Sequence, residues 1–197
     1  MPNYIDSSYF AELSQKEPAS LTCLEGVNYK DKEQVYTINI WGEKYKIDLR
    51  QKKVYPSNPL GTISHEYLDL FIVYYLLNYK ETTLSNEWIS EKDLPGGSTF
   101  FRGPHLVQTQ LISGSIGNDL ELFEQRCTAN GGVSIEMGDR AFCFEITPYI
   151  PIVVLYWQGD EDFPAEAKLL FDKSIEMLLP LDIIFGLAHY VCYKLGH

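Results

Sequence analysis

The sequence predicts an α+β fold with segregated elements, folded as one domain over residues 1–197. Three observations predict it. Apolar residues recur at helical spacing near both ends and in the middle of the chain. Between residues 133 and 171 the period changes to two, with connections too short for crossover helices. No βα alternation is present, which excludes a doubly wound sheet. The expected layout is an N-terminal helix and β-hairpin, a central buried helix and helical segment, and a C-terminal four-stranded antiparallel meander with a closing helix.

The first helix spans residues 4–16: Ile5, Tyr9, Phe10 and Leu13 share a face, and Pro18 bars continuation. In "QVYTINIWGEKYKIDLR", Tyr36, Ile38 and Ile40 alternate with more polar neighbours. Gly42 and Glu43 turn the chain, and Tyr45, Ile47 and Leu49 alternate on the return, which makes a hairpin with one apolar face. Residues 53–56 add a short strand, and "PSNPLG" is a loop. The central helix covers residues 64–79, with Thr62 or Ser64 as its cap and Glu66 in its first turn. Its middle is apolar nearly all round, as a buried helix requires. Leu94-Pro95-Gly96-Gly97 is a sharp turn. Two more helices follow at residues 100–111 and 118–127, separated by "SGSIGN" and closed by Gly131-Gly132. The four strands of the meander are "VSIEM", "RAFCFEITPYI", "PIVVLYW" and "AKLLF". Residues 181–195 form the closing helix, with Ile183, Ile184, Leu187, Tyr190, Val191 and Lys194 as its inward stripe.

Composition removes several function classes. Lys and Arg number 16 against 27 Asp and Glu, a net charge of -11, and no basic run tracks a phosphate backbone. Nucleic acid is therefore not an expected partner. The most apolar runs, "LFIVYYLLNY" and "IPIVVLYW", fall short of the ~20 residues that span a bilayer. The first residues carry no signal-peptide pattern, so the expectation is a cytoplasmic protein without a membrane partner. Four cysteines without a C-x-x-C pair are read as free thiols, mostly buried. H-E-x-x-H, G-x-S-x-G and G-x-G-x-x-G are all absent, so no motif names a metal, nucleophile or cofactor. The 14 tyrosines suit pocket walls or half-buried sheets.

Two segments carry candidate chemistry. In "GGSTFFRGPH", Gly96 and Gly97 let a backbone approach closely, and Arg102 and His105 add positive charge for an anionic group. At "YWQGDEDFPAEAKLLFDKS", Asp160, Glu161 and Asp162 follow the most apolar strand. Gly159 and the acids fit a solvated hairpin tip that also blunts aggregation of apolar strands. The alternative is an acid/base or divalent-cation site, because three crowded carboxylates resist ionising together. Asp172 ends the next strand and either caps "SIEMLL" or joins that site. Antiparallel pairing would hold it some 20 Å from the acidic turn, at ~3.3 Å per residue, which opposes a shared metal. His189 and Cys192 share a helix face, as a thiolate pair or as core packing.

The blocks "LPGG", "GG" at residues 131–132, "GDRAF", "IPIVVLYWQGDEDFPAEAKLLFDKS" and "LPLD" resemble domain of unknown function family 3786, found mainly in anaerobic bacteria and archaea. The likeness is strongest over the second half of the chain. Some members of that family carry an N-terminal cysteine-rich iron–sulfur segment, which implies a setting beside redox or corrinoid-dependent one-carbon chemistry. This sequence lacks that segment, and the family supplies no catalytic residues to carry over.

The expected function is binding: a cofactor-like small molecule in an aromatic pocket. Gly96, Gly97, Arg102 and His105 would take its anionic part and Trp157 its flat part. Two alternatives stand beside it. One is a metal-dependent enzyme using Asp160, Glu161 and Asp172. The other is an accessory protein docking a redox or corrinoid-dependent enzyme.

Overall fold

The Trp41-Gly42 pair turns the first hairpin, both residues in the left-handed region at φ 49° and 71°. This turn type twists with its strands, and it fixes the register so that Tyr36 faces Ile47 and Ile38 faces Tyr45. All four side chains are buried. The computed structural model describes residues 5–58 and 65–197, and the chain divides into two compact units, residues 1–81 and 82–197.

The first unit is built around an antiparallel sheet in the order β1-β2-β3-β4: β1 Asn28–Lys30, β2 Val35–Ile40, β3 Glu43–Asp48 and β4 Lys53–Pro56. The hairpin and the short third strand thus gain an extra edge strand. At the β3–β4 turn, buried Asp48 accepts the N–H groups of Arg50 and Gln51 at 2.9 and 2.8 Å. Helix α1 (Ser7–Gln15) begins at the Asp6 cap and buries Phe10 and Leu13. Pro18 does stop it, and also opens α2 (Pro18–Thr22), where a first-turn proline has no N–H to waste. The central helix α3 (Glu66–Leu77) is apolar on nearly every side. His65 caps it through Nδ1, which accepts the Tyr67 N–H. Tyr4, Thr62 and Ser64, named for the first and central helices, lie outside the described residues, as does the end of the "PSNPLG" loop.

The second unit holds five antiparallel strands in the order β5-β9-β8-β7-β6. Residues Val133–Ile135, Arg140–Thr147, Ile150–Trp157 and Glu166–Asp172 form β6 to β9, the expected meander. A fifth strand, β5 (Trp88–Ile89), is added at the β9 edge. One face carries Phe142, Phe144, Ile152, Val154, Tyr156 and Phe171, all buried. Helix α6 (Leu120–Ala129) packs there through Phe123, whose ring stacks on Tyr156 at 4.6 Å and meets Phe142 edge-on at 5.7 Å. The Tyr156 hydroxyl donates to the carbonyl of Gly117 at 2.6 Å, so the sheet also grips the end of helix α5 (Gln110–Ile116).

Two helical expectations need correction. Residues 100–111 do not form one helix. A four-residue helix, α4 (Gly97–Phe100), ends before Gly103, which has φ 55°. A 3-10 turn covers Gly103–His105, because Pro104 fits a first turn but not a helix interior. Conversely "SGSI", read as a separator, lies inside α5 (Gln110–Ile116), where Ile112 and Ile116 are buried. Helix α7 (Leu181–Gly196) passes close to α5: a Cβ on Gly196 would stand 2.6 Å from the Leu111 carbonyl oxygen. Burial on α7 runs almost all round rather than along a stripe, and it includes Phe185, Ala188 and Cys192, while Lys194 stays half exposed.

Candidate functional site

The glycines of "LPGGSTFFRGPH" serve the fold. Gly96 adopts φ 77°, and a Cβ on Gly97 would collide with the Glu91 carbonyl oxygen. The close backbone approach they permit is to the protein's own chain. Arg102 is exposed. His105 lies flat on Phe100, centroids 4.5 Å apart and planes at 6°, and meets Phe185 edge-on at 5.4 Å. The segment therefore carries an exposed arginine and, further along, a histidine stacked flat on Phe100. The tyrosines that sequence allotted to pocket walls include Tyr36, Tyr45 and Tyr156, among the largest fully buried side chains.

Asp160, Glu161 and Asp162 sit at the bend between β8 and β9. The Asp160 carboxylate accepts the N–H groups of Asp162 and Phe163 at 2.9 and 2.8 Å, and the Asp160 N–H donates to the Phe163 carbonyl at 2.8 Å. These backbone bonds hold the Asp160 carboxyl below its usual range, so crowding by its acidic neighbours does not make it reluctant to ionise. Asn118 clamps the entry. Its amide donates to the Gly159 carbonyl at 3.0 Å and accepts the Gly159 N–H at 2.8 Å. Asp139 accepts the Gln158 N–H at 2.9 Å. Sequence reasoning missed Asn118 and Asp139, which lie 41 and 19 residues from their partners.

Asp172 lies at the other end of β9, opposite Trp88. It is 2% exposed, and burial alone would raise its pKa. Hydrogen bonds overcome that and hold it down at about 2. The donors are the Ser174 N–H, the Ser85 N–H and hydroxyl, and the Asn86 N–H, at 2.7 to 3.0 Å. The carboxylate caps the following turn and fastens the strap ahead of β5, with three donors on Oδ1 and one on Oδ2.

An open cavity of about 580 Å³ lies at the β6–β7 hairpin, lined by Glu124, residues 134–139 and Arg140. Trp157 does not line it, though it lies near Gly138, where an added Cβ would stand 3.4 Å from the indole Nε1. Ile135 and Met137 supply apolar wall. Arg140, the lone cation of the lining, pairs with Glu124 and donates to the Asp139 carbonyl at 2.8 Å. Glu136 and Asp139 leave the lining net negative. Arg102, His105, Asp160, Glu161 and Asp172 do not line this cavity.

Buried Cys127 and Cys192 have thiols pushed up to about 12 by burial, and His189 sits 6.2 Å from the Phe185 ring, so this helix face reads as core packing. Among the described residues no group of three or more His, Cys, Asp or Glu is placed to hold a metal ion, and no helix is long and apolar enough to cross a membrane.

Fold and site together define the class: an α+β protein of two antiparallel sheets with helices in each unit, whose conspicuous carboxylates are tied into turns. Residues 17–194 match the family described as Domain of unknown function (DUF3786), and the chain belongs to it. No curated protein and no solved structure matches the chain.

Proposed function

We propose that the chain is a non-catalytic cytoplasmic binding domain that takes a small molecule in the cavity at the β6–β7 hairpin. The observation that carries this reading is the cavity itself: a volume in the range of small-molecule sites, Ile135 and Met137 in its lining, and Glu124, Glu136 and Asp139 against the single cation Arg140. The lining favours a ligand with a cationic end and an apolar body. Against the enzyme reading stands the engagement of Asp172 and Asp160 by backbone N–H groups. The anaerobic setting implied by the resemblance belongs to this proposal as its metabolic context.

A second reading is favoured by one observation. Arg102 is an exposed cation in no ion pair among the described residues, in the same short segment as the flat His105–Phe100 stack. That surface suits a planar ligand with an anionic group. Calorimetric titration with agmatine and with adenosine monophosphate separates the two. Agmatine binding that Met137→Arg abolishes supports the cavity. Nucleotide binding that Arg102→Ala abolishes supports the stack. Binding of neither, with a divalent-cation stabilisation that Asp160→Asn removes, would replace both with the metal-enzyme reading.

A further inference from the structure

Four large apolar side chains are exposed among the described residues, and Phe163 is the most exposed, at 70%, and the only aromatic one. Its position does not need a phenylalanine. The turn is held through the Phe163 N–H and carbonyl, which any residue offers. The ring makes no contribution to those bonds and leaves its apolar surface in water.

The backbone beneath that ring is unusually well fixed for a loop tip. Asp160 closes the turn from inside with three bonds. Asn118 holds both polar groups of Gly159, and the Gln158 side chain donates to the Asn118 carbonyl at 2.9 Å. Gly159 lies so close to the return limb that a Cβ there would stand 2.6 Å from the Ala165 nitrogen. A recognition element held this way loses little backbone entropy on binding. Asp160, Glu161 and Asp162 immediately precede the ring and set the sign of the charge around it.

We propose that the β8–β9 tip is a docking knob for a protein partner, with Phe163 entering an apolar socket rimmed by Lys or Arg. The acidic flank selects that rim, speeds encounter and discriminates against acidic surfaces. A second copy of this chain is a poor occupant, because each carries a net charge of -11 and the same acidic tip. An anionic lipid surface is disfavoured by the same sign. This inference is independent of the cavity, since Phe163 does not line it.

The test places the photo-crosslinking analogue p-benzoylphenylalanine at position 163 of the full chain in its native host, with a second variant carrying it at exposed Val133. Position 163 should yield a discrete protein adduct that position 133 does not. Its yield should fall several-fold when Glu161→Lys and Asp162→Lys are added. The captured protein, purified, should bind Phe163→Ser about tenfold more weakly than the unaltered chain, the loss expected of an aromatic anchor. The melting temperature of Phe163→Ser should not change, which separates docking from folding. Equal adducts at both positions, adducts indifferent to charge reversal, crosslinking to lipid or to a second copy, or no discrete adduct would each overturn the proposal.

Discussion

Asp172 shows what a single carboxylate does when it is buried with four donors. Its pKa is about 2 in the fold against an ordinary 3.8, so its contribution is complete above pH 3.8 and is lost as pH falls towards 2. The shift corresponds to about 2 kcal/mol. We predict that Asp172→Asn, which sets an amide against incoming N–H groups, costs at least about 2 kcal/mol in urea unfolding at pH 7. Its deficit should narrow in melts taken between pH 4 and pH 2. The cysteines give a second prediction at this scale. Exposed Cys23 should react at once with a thiol reagent, while Cys127 and Cys192, whose thiols sit near 12, should react only after denaturation. Sequence exposed part of this. It offered a turn role for Asp160 and a cap role for Asp172, each beside an acid/base or metal alternative, because both roles are local. It could not show that Asp172 also binds Ser85 or that Asn118 holds Gly159, because nothing in residue order announces a partner tens of positions away.

Elements were legible in proportion to their length and regularity. Strands β7, β8 and β9 and helix α7 could be read because alternation or apolar continuity runs through many residues. Strands β1 and β5, of three and two residues, carry no readable period. The segment around Arg102 was misplaced because its apolar residues mimic a helical stripe, while Gly103 and Pro104 impose a different backbone. Glycine positions make the contrast testable. Gly42→Ala meets open space and costs only the strain of φ 71°, about 1 kcal/mol. Gly97→Ala drives a methyl into the Glu91 carbonyl and should cost more, about 3 kcal/mol. Parallel thermal melts that ranked Gly42→Ala as the more damaging would contradict this account of α4.

For the whole chain, the α+β class followed from helical spacing outside residues 133–171, the change of period within them and the absence of βα alternation. The division at residues 81 and 82 did not, since periodicity reports which face is buried but not which faces share a core. Each unit has its own sheet and its own buried aromatics: Tyr36 and Tyr45 in the first, Phe123, Phe144 and Tyr156 in the second. We predict that a fragment of residues 82–197 folds by itself, with a cooperative melt and a dispersed amide spectrum. A fragment with neither would mean that its sheet depends on residues 1–81. The candidate site was less legible than the fold, because the cavity joins α6 to the β6–β7 hairpin and depends on how separate segments meet.

The strap at Ser85 and Asn86 waits for an acceptor 86 to 87 residues downstream. A ribosome making this protein must therefore release most of the chain before Asp172 emerges. Until then those amides stay hydrated and the β9 edge that receives β5 does not exist. Nascent chains halted before residue 172 should leave the strap open to proteases, and chains halted well beyond it should close the strap last.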